Sequence, residues 1–439
     1  MLIEFSVGNY RSFKEKVTFS MVAANLVAKD KNLDENNVFT VDTDLILLKS
    51  AAIYGANASG KSNLAKALSF MKWFMINSFK ETQSTEKINV ERFRLSIETE
   101  KEPSFFEIVF ILDGQRYRYG FEATQDKVVS EWLFYVPKLR ESKLFEREGN
   151  KISSSKTYNA DGIQRYTRDN ALFLSVSAQF NIKIAERILY WLTEQLNIIT
   201  GLDDTAHLAY TIRCMIEDRN RDEIIQLIKK LDLGVSDVRV EQIQLDTDSL
   251  FNGIQSDLSK NIAKIESSHT SINTIHKKFD NDGNYISTEK FDIEKQESEG
   301  TQKVFALAGL LVDTLKFGKV LVFDELDARL HPLISCAIVN LFNSNQTNPN
   351  NAQLIFMTHD TNLLSNKLFR RDQIWFTEKN KYGATDLYSL AEYKVRNDAS
   401  FESDYIKGRY GAIPYIGNLN SLVGINPVST TRAATNHRK

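Results

Sequence analysis

The stretch Ile53-Tyr-Gly-Ala-Asn-Ala-Ser-Gly-Lys-Ser62 constrains this chain more than any other, because it reads glycine, four residues, then Gly-Lys-Ser. Apolar Ala51, Ala52 and Ile53 lead into it as a buried strand would, and Asn63 to Met75 follow with helical spacing. A strand, a glycine-rich turn and a helix in that order make a phosphate cradle. Gly55 and Gly60 let successive backbone amides turn inward, with Ala56, Asn57, Ala58 and Ser59 as the wall between them. The helix beginning near Lys61 adds its positive end beneath a β-phosphate. Lys61 is placed to reach the β- and γ-phosphates, Ser62 offers its hydroxyl to Mg²⁺, and Asn63 belongs to the same binding segment.

Two later apolar strands end in groups that suit such a cradle. Val320-Leu-Val-Phe323 runs into Asp324-Glu325, and Leu354-Ile-Phe-Met357 runs into Thr358-His359-Asp360. Open α/β sheets present ligand groups at the carboxyl ends of their strands. Asp324 is placed there to bind Mg²⁺ through water, and Glu325 to polarise an attacking water. His359, 35 positions after Asp324, is expected to contact a γ-phosphate and sense its loss, with Thr358 and Asp360 as supporting neighbours. A second helix start, Ser298-Glu-Gly-Thr-Gln302, offers the Ser298 hydroxyl and the Gly300 amide as another anion site. One chain does not need two such sites for one γ-phosphate.

The remaining patterning sets an organisation. Leu2 to Val7 and Val17 to Val22 read as paired strands; Ser104 to Phe110, Gln115 to Ala123 and Val128 to Val136 read as three more, the first two turning at Asp113-Gly114. From Asn170 to about Ile265 the period is helical, with Ile184, Ile188, Trp191, Leu192 and Leu196 on one face. An interaction arm and a packing subdomain fit that pattern equally. Heptads are not sustained, so no long coiled coil is expected. Thr274 to Phe279 and Tyr285 to Ile293 form a hairpin candidate leading back to the core. The expected division is 1–169 as ATPase lobe I with the P-loop and a β-subdomain, 170–290 as helical insertion, 291–424 as lobe II, and 425–439 as a polar tail. Lys plus Arg (55) nearly balances Asp plus Glu (57), which removes the bulk signature of a dedicated nucleic-acid or membrane-surface binder. No window approaches the roughly 18 apolar residues of a membrane span. The N-terminus lacks the pattern of a signal peptide, and two cysteines, Cys214 and Cys336, read as buried thiols in a reducing cytoplasm.

In order, Gly55 to Ser62, Ser298 to Gly300, Asp324-Glu325, Asp327 and His359 resemble the five motifs of ABC-type ATPases. The resemblance implies an α/β fold class: an ABC-type P-loop NTPase core, a mixed sheet with flanking helices, plus an antiparallel β-subdomain and a helical insertion. It implies ATP and Mg²⁺ as cofactors, and a homodimer that sandwiches two ATP molecules, Ser298 and Gly300 facing the nucleotide of the opposite subunit. Ser-Glu-Gly-Thr stands here against the family's usual Ser-Gly-Gly-Gln, with Glu299 replacing the first glycine. Asp327 falls where the family's D-loop aspartate communicates between the two sites. The family also places a glutamine near Mg²⁺, for which Gln115 and Gln179 are both available.

Three segments narrow the resemblance. Asn9-Tyr-Arg-Ser-Phe13 is similar to the N-terminal segment of SMC, RecF and OLD proteins, and Asp324-Glu-Leu-Asp-Ala-Arg-Leu-His-Pro332 looks like that of OLD-like ATPases. Asp404-Tyr-Ile-Lys-Gly-Arg-Tyr-Gly-Ala-Ile-Pro414 resembles the closing motif of RloA-like and PARIS AriA-like proteins. This implies the sensor or switch subunit of an anti-phage, abortive-infection system, triggered by DNA or a phage protein and acting on a separate nuclease or toxin. OLD proteins continue into a TOPRIM nuclease, whereas only 80 residues follow His359 (439 minus 359). The main rival is a RecF- or SMC-like repair ATPase on duplex DNA, with Arg213, Arg219, Arg221, Lys229 and Lys230 as its patch. A transporter subunit is disfavoured by the 237 positions between Lys61 and Ser298, and a hexameric AAA+ ring has no use for the second anion site.

Overall fold

A parallel sheet must be covered on both faces, so its strands are expected to be buried throughout, whereas antiparallel sheets may keep one face in water. The computed structural model describes residues 1–80, 83, 85–137, 140–201, 204–231, 234–244, 268–396 and 399–415. The chain begins with β1 (Leu2–Gly8), β2 (Val17–Ser20), a short α1 (Lys31–Asn36), the hairpin β3 (Val38–Asp42) and β4 (Leu45–Leu48), β5 (Ser50–Tyr54) and α2 (Lys61–Asn77). Five strands follow: β6 (Ser104–Leu112), β7 (Gln115–Ala123), β8 (Val128–Val136), β9 (Ser142–Glu148) and β10 (Lys151–Ser154). Next come α3 (Phe173–Gln179), α4 (Lys183–Glu194), β11 (Leu196–Ile199), α5 (Thr205–Ile216), α6 (Arg221–Lys230), β12 (Asp237–Gln244), β13 (Ser268–Phe279) and β14 (Tyr285–Asp292). A one-turn α7 (Ile293–Gln296), α8 (Glu299–Phe317), β15 (Val320–Phe323), α9 (Pro332–Phe342), β16 (Gln353–Met357), β17 (Ile374–Lys379), β18 (Thr385–Ser389) and α10 (Phe401–Ile406) complete it.

The central sheet has the order β11-β15-β16-β5-β17-β18, parallel throughout except for the β17–β18 pair. Every residue of β5, β15 and β16 is buried, which explains their unbroken apolar runs. Phe323 is opposite Phe356, and Met357 is opposite Ile53, so these three strands end together along one edge. A seven-stranded antiparallel sheet, β10-β9-β8-β7-β6-β1-β2, packs beside it. Its β6 alternates between buried and half-buried positions until Phe110, the pattern of a strand with one face on a core. Glu131 is fully buried in this sheet and is satisfied by Arg147, the Tyr119 hydroxyl and the amides of Phe173 and Leu174.

The residues after 170 divide between core and periphery. Ile188, Trp191 and Leu192 of α4 are buried in the same core as α2, and Trp191 stacks on Phe110 at 4.3 Å between ring centroids. Leu196, on the helical face by its spacing, instead begins β11 and pairs with Val320 at the edge of the central sheet. A short apolar run does not announce where a helix ends and a buried strand begins. Helix α5 lies on α8, where the Thr211 hydroxyl donates to Ala306 O at 2.8 Å and accepts from Gly309 N at 3.1 Å. Residues 237–244 of the expected helical stretch are strand, while 245–267 and the polar tail 425–439 lie outside the described residues. Strands β12, β13 and β14 make a separate antiparallel sheet. Among the described residues no helix is long and apolar enough to cross a membrane. Cys214 is buried and Cys336 half-buried, both as free thiols.

Candidate nucleotide-binding site

The turn after β5 is shaped by contacts from distant strands. Gly60, directly before α2, has φ of +118°, and a Cβ there would stand 2.4 Å from Thr385 Oγ1 and 3.0 Å from Ser12 Oγ. A Cβ at Gly55 would fall 2.5 Å from Ser59 Oγ and equally close to Thr377. Both places therefore require glycine. Ser59 is buried, and its hydroxyl lies 2.6 Å from Thr377 Oγ1 while its carbonyl accepts from Thr385 Oγ1 at 2.7 Å. Asn63 donates to Ser12 Oγ at 2.8 Å, and Ser12 O accepts from Thr385 N at 2.7 Å. Asn57 and Ala58 are exposed at the tip, with Ala58 at a φ of +62°. Ser12, Thr377 and Thr385 were not among the residues marked by spacing. Only Ser12 gave a signal, as part of Asn9-Tyr-Arg-Ser-Phe13.

Lys61 folds over the turn, its ammonium donating to Gly55 O at 2.7 Å and Ala56 O at 3.1 Å. Burial pulls its pKa down to about 8, against the opposing pull of Asp324, Asp327 and Glu325. Ser62 Oγ donates to Asp324 Oδ1 at 3.1 Å, joining the start of α2 to the end of β15. Burial raises the Asp324 pKa, an effect partly offset by the Ser62 hydrogen bond. Glu325 is half-buried with φ of +62°, a strained conformation for a non-glycine residue held at a strand end. His359 follows β16, and burial with the nearby Lys61 charge lowers its pKa, opposed by Asp327 and Glu325. Burial and the Lys61 charge both favour the neutral imidazole. Thr358 Oγ1 accepts from Asp360 N at 2.9 Å, bracing the turn.

Two carboxylate oxygens at this edge, Asp327 Oδ1 and Asp360 Oδ2, are buried without a partner among the described residues. The sheet thus brings Lys61, Ser62, Asp324, Glu325, Asp327 and His359 to one place from three parallel strand ends. Ser62 and Asp324 are hard oxygen donors of the kind Mg²⁺ takes together with water and substrate phosphates. Among the described residues no group of three or more His, Cys, Asp or Glu could hold a metal by itself.

Ser298 is the N-cap of α8, its hydroxyl accepting from Thr301 N at 3.1 Å. It is exposed, and among the described residues no hydrogen bond or ion pair joins Ser298, Glu299 or Gly300 to residues 55–63. A Cβ at Gly300 would sit 3.1 Å from Arg329 O, so this helix start packs on the loop that carries Asp327. Glu299 makes a wide exposed pair with Arg329 at 3.6 Å. Gln115 gives its amide to Val136 O within the antiparallel sheet, and Gln179 is exposed at the end of α3. Of the basic residues on α5 and α6, Arg213 and Arg219 lie over the Tyr210 ring at 5.6 and 5.2 Å, while Lys229 and Lys230 are exposed.

Parallel strands ending in a glycine cradle, an Asp-Glu pair and a histidine define an α/β P-loop ATPase fold. The chain belongs to the family described as "AAA domain, putative AbiEii toxin, Type IV TA system", which matches residues 50–365. None of the curated proteins matches the sequence. Among solved structures it is similar to an SMC head bound to the C-winged helix domain of ScpA, at 15% identity and a TM-score of 0.45, covering 88% of this chain and 97% of that one. The SMC head domain from Thermotoga maritima is similar at 13% identity and a TM-score of 0.38, covering 88% and 98%.

Proposed function

We propose that this chain hydrolyses ATP with Mg²⁺ at a site completed by a second copy of itself, as the switch of an anti-phage, abortive-infection system. The observation that carries the hydrolytic part is the 3.1 Å hydrogen bond between Ser62 Oγ and Asp324 Oδ1. Those two side chains would hold Mg²⁺, which when bound offsets charge on the β- and γ-phosphates. Lys61 exchanges its two carbonyl acceptors for phosphate oxygens, with the amides of 55–62 around them. Glu325 accepts a proton from water as the water oxygen bonds to the γ-phosphorus and the bond to the β,γ-bridging oxygen breaks. ADP and phosphate are the products. His359 donates a ring N–H hydrogen bond to a γ-phosphate oxygen and loses that partner when phosphate departs.

Ser298 and Gly300 offer a hydroxyl and an amide to the γ-phosphate held by the other protomer, and Asp327 lies between the two sites. The resemblance of Asp324 to Pro332 and of Asp404 to Pro414 to OLD-like, RloA-like and PARIS AriA-like proteins supports the defence role. The toxin and Type IV TA system in the family's description support it too. On this reading a separate cytoplasmic nuclease or toxin is the effector, and DNA or a phage protein is the trigger. Glu325→Gln tests the chemistry. It should bind ATP, accumulate the closed dimer in light scattering and turn over about 100-fold or more slowly than wild type. Wild-type turnover by this variant would remove Glu325 as the base.

A further inference from the structure

We propose that Thr274 and His276 of β13 act as a latch on Glu297 that sets where Ser298 stands, making both positioning residues for ATP turnover. The inference rests on the reading of Ser298 as a group that serves a partner's nucleotide. Glu297 and Ser298 are the two extended residues between α7 and α8, with φ and ψ of −93° and 154°, and −66° and 153°. Capping by Thr301 N fixes the Ser298 hydroxyl relative to α8, but a two-residue link does not by itself fix where that helix start stands. Side chains must hold it.

They do so from both sides. His276 Nε2 donates to Glu297 Oε1 at 2.6 Å, and the Thr274 hydroxyl donates to the same oxygen. Glu297 O accepts from Gln302 Nε2 at 3.1 Å, tying the link to the first turns of α8. Thr274 is buried, and the side chains of Glu297 and His276 are 9% and 20% exposed. The His276 ring lies on Phe291 of β14, 4.6 Å between centroids, which fixes its orientation. A carboxylate in so sheltered a place needs its donors, and a hydrogen bond to a charged group is stronger than one between neutral groups. Removing a donor therefore frees the residue adjacent to Ser298 while leaving the cradle at 55–62 untouched. Through this contact the β12–β14 sheet gains a direct hold on the anion-facing end of α8.

The test compares His276→Ala, His276→Gln and Thr274→Val in the full chain, with Ser298→Arg alongside. His276→Ala should lower kcat about tenfold while the affinity of the protein for ATP stays within about twofold of wild type. His276→Gln, which keeps a donor within reach of Glu297, should recover most of that loss. Thr274→Val, close in shape and lacking only the hydroxyl, should lower kcat in the same direction when assayed at a temperature where circular dichroism shows the variant fully folded. Full turnover by His276→Ala, an equal loss of ATP affinity, or no recovery by His276→Gln would overturn the latch. If Ser298→Arg loses turnover while the latch variants do not, the latch alone falls. If Ser298→Arg itself turns over normally, the composite site falls and takes the latch with it.

Discussion

Lys49, directly before β5, is fully buried and gives its ammonium to Asn345 Oδ1 at 2.5 Å, without a carboxylate partner among the described residues. Burial brings its pKa down from 10.5 to about 8. Between those two values the unfolded chain holds a proton that the folded chain has released, so stability rises with pH across that window. Below pH 8 both states are protonated and the buried charge is a cost to the fold. Lys49→Met lacks the titrating group. The difference in melting temperature, variant minus wild type, should therefore fall as pH is raised from 7 to 10; a constant difference would mean that Lys49 keeps its proton in the fold. At this scale the sequence showed the letters of the site but not their supports. Gly55, Lys61, Ser62, Asp324 and His359 stand out because motif spacing and strand ends are local properties. Thr377 and Thr385 do not, and Ser12 is marked only as part of Asn9-Tyr-Arg-Ser-Phe13, because their reason for being polar is Ser59, Gly60 and Asn63, which only the folded sheet brings near.

Among elements, α8 shows how one helix serves both packing and site. Thirteen of its residues from Thr301 to Thr314 are buried, while its capping serine is exposed. Its Gly309 faces α5 so closely that a Cβ would stand 2.9 Å from Thr211 Cα and 2.7 Å from Thr211 Oγ1. Gly309→Val should overpack this contact and destabilise the fold by about 1–3 kcal/mol, measured by urea denaturation. An unchanged midpoint would show that α5 can move away freely. The apolar period of α5 and α6 signalled a face to be covered, but periodicity alone does not say whether a partner protein or the chain's own α8 covers it. The same limit hid β11, whose Leu196, Ile198 and Ile199 continue the apolar pattern of α4. Strands β6, β7 and β8 were plain because aromatic alternation and an Asp-Gly turn act locally. The closing motif had no assignable chemistry from its letters. In the fold it is a packed aromatic cover: Tyr405 stacks on Phe376 at 5.5 Å, and the Tyr388 hydroxyl donates to Tyr410 O at 2.8 Å.

For the molecule as a whole, the position of Ser298 poses a question of stoichiometry. Ser298 caps α8, is exposed and has no bond to the cradle in its own chain, so on the proposed reading it is another copy that brings a γ-phosphate to it. A two-fold dimer then holds two composite sites, each with the cradle of one protomer and the Ser298 of the other. This arrangement allows complementation between two inactive variants. Lys61→Ala spoils the cradle and Ser298→Arg spoils the helix start, so each alone should be inactive. In a mixed dimer one site carries both lesions, while the other joins the intact cradle of the Ser298→Arg protomer to the intact Ser298 of the Lys61→Ala protomer. Random pairing of equal amounts makes half the dimers mixed, each with one good site of two, so about one quarter of wild-type turnover should return. If catalysis were confined to a single chain, the mixture would show no more than the sum of its inactive parts, whatever the protein concentration.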